Sequence, residues 1–85
     1  MIKLDLRFYA QVAARLGINQ ANIELEAGIT WEELFSYLEK QYGLSLYQGV
    51  ITLVNGKSIW ALGEKDKQIV VKDILIEVFP ALAGG

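Results

Sequence analysis

The sequence predicts an α+β domain, a sheet with helices packed on one of its faces. Three observations carry that expectation. "IKLDLRF" near the start and "DILIEVF" near the end alternate apolar and polar residues with period two, as strands do. "ITWEELFSYLEKQYG" has helical spacing, with a start signal and a stop signal. "VNGK" places Asn-Gly between two apolar runs, a hairpin signal. At 85 residues the chain has the length for one compact domain and no more.

The first strand puts Ile2, Leu4, Leu6 and Phe8 on one face and Lys3, Asp5 and Arg7 on the other. Tyr9, Val12, Ala13 and Leu16 then recur at helical spacing, and Gly17 stands where a helix stops, which predicts a short helix over Ala10–Leu16. In "NIELEA", Ile23 and Leu25 point inward and Glu24 and Glu26 outward. Thr30 and Glu33 form a capping box, and Ile29 and Leu34 form the hydrophobic staple around it. Trp31, Leu34, Phe35, Leu38 and Tyr42 run down the buried face of that helix to Gly43. "VITLVNGKSIWAL" predicts two strands around Asn55-Gly56, with Ile59 and Trp60 on the second. "GEKDK" is a solvated turn. In the last strand Ile74, Ile76 and Val78 share one face and Leu75, Glu77 and Phe79 the other. Both faces are mostly apolar, which suits a central strand. Pro80 has no N–H to give, so pairing is expected to stop there, dividing the chain into a domain over 1–79 and a tail over 80–85.

Composition narrows the function. Apolar residues make up 53 % of the chain, more than a small core needs, so part of that surface is expected to remain as a contact patch. The net charge is −2 with no clustered Lys and Arg, which argues against nucleic acid as a partner. With no Cys and no His the chain has no disulfides, thiolate nucleophiles, imidazole acid–base chemistry or usual zinc sites, so no metal is expected. The alternating start is no signal peptide, and no stretch has the length of a membrane span. The expectation is a soluble cytoplasmic protein without membrane contact.

The tail, "PALAGG", is where chemistry is expected. Extended, it reaches about 20 Å, at roughly 3.3 Å per residue. Ala81, Leu82 and Ala83 are apolar and Gly84 and Gly85 have no Cβ, so the tail suits a narrow channel. The α-carboxylate of Gly85 is ionised at neutral pH and a poor electrophile until a leaving group such as AMP is attached. The chain has no phosphate-binding loop with which to do this itself. Its activation therefore requires a partner that uses ATP. The activated acyl group can pass to sulfide, giving a thiocarboxylate, or to an amine, giving an isopeptide bond. A frayed, inert end is the plainer reading of Gly-Gly alone.

"FYAQVAARLG" over Phe8–Gly17 and "VFPALAGG" over Val78–Gly85 resemble the opening and closing motifs of the ubiquitin-like sulfur-carrier family, in particular the small subunit of molybdopterin synthase. "ITWEELFSYLEKQYG" and "VNGK" fall where that family has its capped helix and hairpin, so the likeness covers the chain. Where the family often has Pro-Pro and an Asp-Gly-Asp turn, this chain has Pro80-Ala81 and "KDI".

The resemblance implies a β-grasp, ubiquitin-like fold with a mixed sheet. It implies that an E1-like enzyme adenylates Gly85 with ATP, that a sulfur donor converts it to a thiocarboxylate, and that the tail enters the large synthase subunit of a heterotetramer. Sulfur then passes to a cyclic pterin precursor in molybdenum cofactor biosynthesis. The chain would be a sulfur-donating subunit without catalysis of its own and without a permanently bound cofactor. Gly85 would bear the sulfur, with Gly84 beside it, and Tyr9, Ile59, Phe79, Pro80, Ala81, Leu82 and Ala83 would meet partners. The alternatives are a sulfur carrier for thiamine or cysteine synthesis, a ubiquitin-like modifier joined through Gly85, and an interaction module with an inert tail.

Each singled-out residue also has a plainer reading. Phe79 and Tyr9 suit core packing as well as an interface, Trp60 suits the core, and Arg15 suits an exposed helix position as well as docking to an acidic partner. Glu24, Glu26, Glu32 and Glu39 suit solvated faces.

Overall fold

A computed structural model describes residues 1–62 and 68–81 of the chain; the expected "GEKDK" turn and the last four residues lie outside them. The strands are β1 (Ile2–Phe8), β2 (Gln20–Leu25), β3 (Val50–Val54), β4 (Lys57–Ser58) and β5 (Ile74–Pro80), and the helices are α1 (Ala10–Leu16) and α2 (Trp31–Tyr42). They form one mixed sheet in the order β2-β1-β5-β3-β4. β1 and β5, at opposite ends of the sequence, pair in parallel with Leu4 opposite Ile74 and Phe8 opposite Val78. β2 runs antiparallel to β1, and β3 antiparallel to β5. Two parallel central strands from the chain's two ends, flanked by antiparallel neighbours and crossed by a helix, make the β-grasp arrangement.

The alternation of β1 and β5 sorts their side chains as expected. Ile2, Leu4, Leu6, Phe8, Ile74, Ile76 and Val78 are buried together with Val12 of α1 and Leu34, Phe35 and Leu38 of α2, so both helices lie on that face. Trp31 and Tyr42, expected in the core, are half-buried and pack against it from its edge. The lone buried polar side chain among the described residues is Thr52, whose hydroxyl donates to the Leu46 carbonyl at 2.7 Å. Removing that acceptor's partner would leave a buried carbonyl unpaired.

The capping box is present. The Glu33 N–H donates to Thr30 Oγ1 at 3.1 Å, and the Thr30 N–H donates to Glu33 Oε1 at 3.0 Å. The Thr30 N–H, and after it the Thr30 hydroxyl, hold the Glu33 carboxyl below its ordinary value of 4.5. A carboxyl with a lowered folded pKa contributes stability above its unfolded value. That contribution is lost as the pH falls through the folded one. Glu33→Gln should therefore lower the melting temperature at neutral pH, and its gap to the parent should narrow as the pH falls from neutral through the lowered folded pKa of Glu33. Parallel melting curves for the two proteins across that range would contradict the assignment.

The hairpin turns where Asn-Gly predicts, with positive φ at Asn55 (51°) and Gly56 (83°). Asn55 also bonds β5 twice: its N–H donates to the Leu75 carbonyl, and its Oδ1 accepts from the Leu75 N–H, both at 2.8 Å. The second arm of the hairpin differs from expectation. β4 stops at Ser58, and residues 59–62 form a 3₁₀ turn. Strand alternation therefore ends before Ile59 and Trp60. Ile59 is buried, at 2 % exposure, and Trp60 is 68 % exposed, the reverse of the expected assignment.

The end of β5 differs too. Pro80 pairs opposite Val50, and the Ala81 N–H donates to the Gly49 carbonyl at 3.2 Å, so pairing with β3 runs past residue 79. The Val78 carbonyl accepts from Tyr9 on the β1 side. By alternation the nitrogen of Pro80 also faces that side, where the last strand pair is Phe8 with Val78. The missing N–H costs no ladder bond, as on an edge.

Candidate functional site at the end of the fifth strand

The residues expected to launch the tail meet at one end of the sheet. β1 delivers Tyr9 beside the end of β5. Its ring stacks on that of Phe79, with centroids 4.3 Å apart and planes 4° from parallel. Its hydroxyl donates to Glu77 Oε2 at 2.7 Å, and its N–H donates to the Val78 carbonyl at 3.1 Å. The bond to Glu77 first, and then burial, raise the phenol's pKa above its ordinary value, while Arg7 pulls it down. Arg7 is paired with Asp5 at 3.0 Å, and chiefly that bond raises its own pKa.

The chain then turns at once into α1. Ala10 adopts φ 51°, a left-handed conformation that costs a non-glycine residue about 1–2 kcal/mol. The short helix leads back over the core through Val12 and ends at Gly17, whose φ is 77°. Local geometry thus places a strained residue directly after the aromatic one that contacts β5.

On the solvent face the β3–β5 register sets Ile51 opposite Phe79 and Leu53 opposite Glu77. Ile51, Leu53, Leu75 and Phe79 make an apolar strip, interrupted by Glu77, beside the charged side chains of β1. Ile51 is 49 % exposed, so part of the predicted contact patch lies here. On the helix side of Pro80 lies a slot lined by Val12, Leu16, Leu44 and Val50, with Arg15 beside them.

Tyr9, Phe79, Pro80 and Ala81 are therefore brought together, all half-buried. Ile59 is not: it lies in the core, a correction to its expected place on a partner surface. Leu82, Ala83, Gly84 and Gly85 lie outside the described residues. Sequence reasoning missed Glu77, Ile51 and Gly49 as members of this site. Their roles depend on strand register across the sheet, which no local spacing encodes. Among the described residues no cluster of three or more His, Cys, Asp or Glu side chains is placed to hold a metal, and no helix is long and apolar enough to cross a membrane. The hydroxyl and the carboxylate nearest the end of β5 are bonded to each other.

The sequence matches the profile of the ThiS family over residues 6–85. No curated protein matches it. Among solved structures, it is similar to a putative molybdopterin converting factor, subunit 1, from Pyrococcus furiosus, with 17% identity over 96% of this chain and 100% of that one and a TM-score of 0.67. The small archaeal modifier protein 1 from Methanosarcina acetivorans is 18% identical, covering 100% of this chain and 98% of that one, with a TM-score of 0.66. A chain from the complex of subunits 1 and 2 of the molybdopterin-converting factor of Helicobacter pylori is 18% identical, covering 99% of this chain and 100% of that one, with a TM-score of 0.58. At these identities the likeness shows the β-grasp, ubiquitin-like fold.

Proposed function

The chain belongs to the ThiS family, and from that premise we propose that it is a ubiquitin-like sulfur carrier that acts as the small subunit of a molybdopterin synthase. The observation that carries this reading is the family match running through Gly85, on a chain whose last strand is held up to Ala81 at an apolar sheet face. In this reading an E1-like partner joins the Gly85 carboxylate to AMP from ATP and releases pyrophosphate. Sulfide from a sulfur donor then displaces AMP and leaves a thiocarboxylate. A large subunit takes up the tail and passes its sulfur to a cyclic pterin precursor. Small, unbranched residues at Ala83, Gly84 and Gly85 suit passage through a narrow channel. The name of the Helicobacter pylori complex, which pairs two subunits, supports a second subunit as partner.

A second reading has a specific support. The Methanosarcina relative is named as a modifier protein, and the acyl-adenylate is common to both fates. There the Gly85 acyl group would pass to a lysine amine in place of sulfide. The same family membership also accommodates a carrier that supplies another sulfur acceptor, such as a thiazole or cysteine precursor.

The test is the intact mass of the protein from its native host, kept from acid and from exchange with added thiols. The expected result is a population heavier by the difference between one sulfur and one oxygen, mapped to Gly85. Lysine-linked conjugates without that species would replace the carrier by the modifier. Unmodified chain alone, after incubation with the host's adenylating enzyme, ATP and sulfide, would overturn both.

A further inference from the structure

We propose that Tyr9 is a positioning residue that fixes the direction in which Pro80 and Ala81 run at the end of β5, and that it acts through β5 and not by touching a partner. The importance of that direction rests on the sulfur-carrier reading; the holding itself does not. β1 pairs with β5 as far as Phe8 and Val78. Beyond that pair β5 is supported on the β3 side, where Pro80 lies opposite Val50 and the Ala81 N–H reaches the Gly49 carbonyl. On the β1 side the support comes from Tyr9. Three different parts of this residue hold three consecutive residues of β5. The hydroxyl takes Glu77 at 2.7 Å, the N–H takes Val78 at 3.1 Å, and the ring lies flat on Phe79 at 4.3 Å.

Each contact constrains a different motion. The hydroxyl bond limits sliding along the strand, the backbone bond limits splaying from the sheet, and the ring stack limits rotation of Phe79. One face of the Tyr9 ring and its hydroxyl are thereby used inside the chain. The backbone accepts a strained Ala10, at φ 51°, directly after this residue, so that α1 can begin while Tyr9 stays against β5. The Tyr9 carbonyl accepts from the Val12 N–H at 3.1 Å, which ties the other side of the residue to α1.

The experiment compares the full chain with Tyr9→Phe, which keeps the ring and loses the hydroxyl, and with Tyr9→Ala. Hydrogen exchange is read amide by amide. Exchange at Ala81 should quicken about threefold to tenfold in Tyr9→Phe and further in Tyr9→Ala, with the amides at the centres of β1 and β5 unchanged. Unchanged exchange at Ala81, or a uniform rise through the sheet, overturns the proposal.

The second readout is adenylation of the carrier by the adenylating enzyme of the same host. A misdirected tail holds its carboxylate away from the reacting geometry. Tyr9→Phe should then lower kcat about fivefold with KM within about twofold. A raised KM at unchanged kcat would make Tyr9 a docking contact and overturn the proposal, and an unchanged kcat and KM would do the same. If the parent chain is not adenylated at all, the carrier reading falls, and the exchange data alone decide the role of Tyr9.

Discussion

Deletion of Gly84 and Gly85 is expected to abolish adenylation and sulfur loading of the chain while leaving its melting temperature within about 2 °C of the parent. The two halves of this result have separate causes. Among the described residues the buried core runs from Ile2 to Val78, well before the deletion, and the two glycines carry no side chains to bury. The last described strand bond, from the Ala81 N–H to Gly49, is also retained. The deleted chain still has a terminal carboxylate, now on Ala83, but two residues closer to the domain. At roughly 3.3 Å per residue it is drawn back by about 7 Å, too far to be recovered by small adjustments at a bound nucleotide. ATP–pyrophosphate exchange and intact mass measure the loss, and thermal unfolding measures the retained fold. A deleted chain that is loaded at the parent rate would remove Gly85 from the proposed chemistry.

The largest expected effect on stability is that of Ile76→Ala. Ile76 is 0 % exposed and lies on the core face of β5, opposite Leu6 of β1 and Val54 of β3. Its side chain therefore lies where the three middle strands meet the helices. Truncation removes buried methyl and methylene groups and leaves a cavity that rigid strand pairing on both sides prevents from closing. The cost is about 3–5 kcal/mol, in the upper part of the range for such changes. The total stability of a domain this size is roughly 4–13 kcal/mol. The melting temperature should fall by roughly 15–25 °C. Ile76→Val, which loses a single methylene, should cost about 1 kcal/mol. Equal effects from the two variants would show that the site collapses freely, contrary to the packing described.

The parts of this fold that were legible beforehand are those written in short-range physics. Period-two alternation located β1 and β5 and sorted their faces, because neighbouring side chains on a strand must point opposite ways. Thr30 and Glu33 located the start of α2, because that pair satisfies backbone donors three residues apart. What escaped depends on pairing between distant segments. Glu39, read as a solvated acid, accepts from the Leu46 N–H at 2.8 Å and so fastens the loop after α2. Nothing local marks that contact across the Gly43 turn. Ile59 and Trp60 exchanged places because alternation applies only while the backbone remains extended, and β4 ends at Ser58. Pro80 remained in its strand because β1 had already turned away on the side that its nitrogen faces, a fact of sheet order. The site divides the same way: Phe79, Pro80 and Ala81 stand out in the sequence, whereas Glu77 becomes part of it only when Tyr9 arrives from 68 residues earlier.

The parallel pairing of β1 with β5 has a consequence for how the molecule is made. Leu4 must wait for Ile74 before the centre of the sheet exists. While the chain is being synthesised, β1 has β2 on one side and an empty berth on the other. Contacts this distant in sequence are slow to form and come late. The sheet therefore closes only once residues Ile74–Pro80 are available to fill the place between β1 and β3. A polypeptide that stops before β5 lacks the strand that joins β1 to β3, so its sheet stays in two separate pieces.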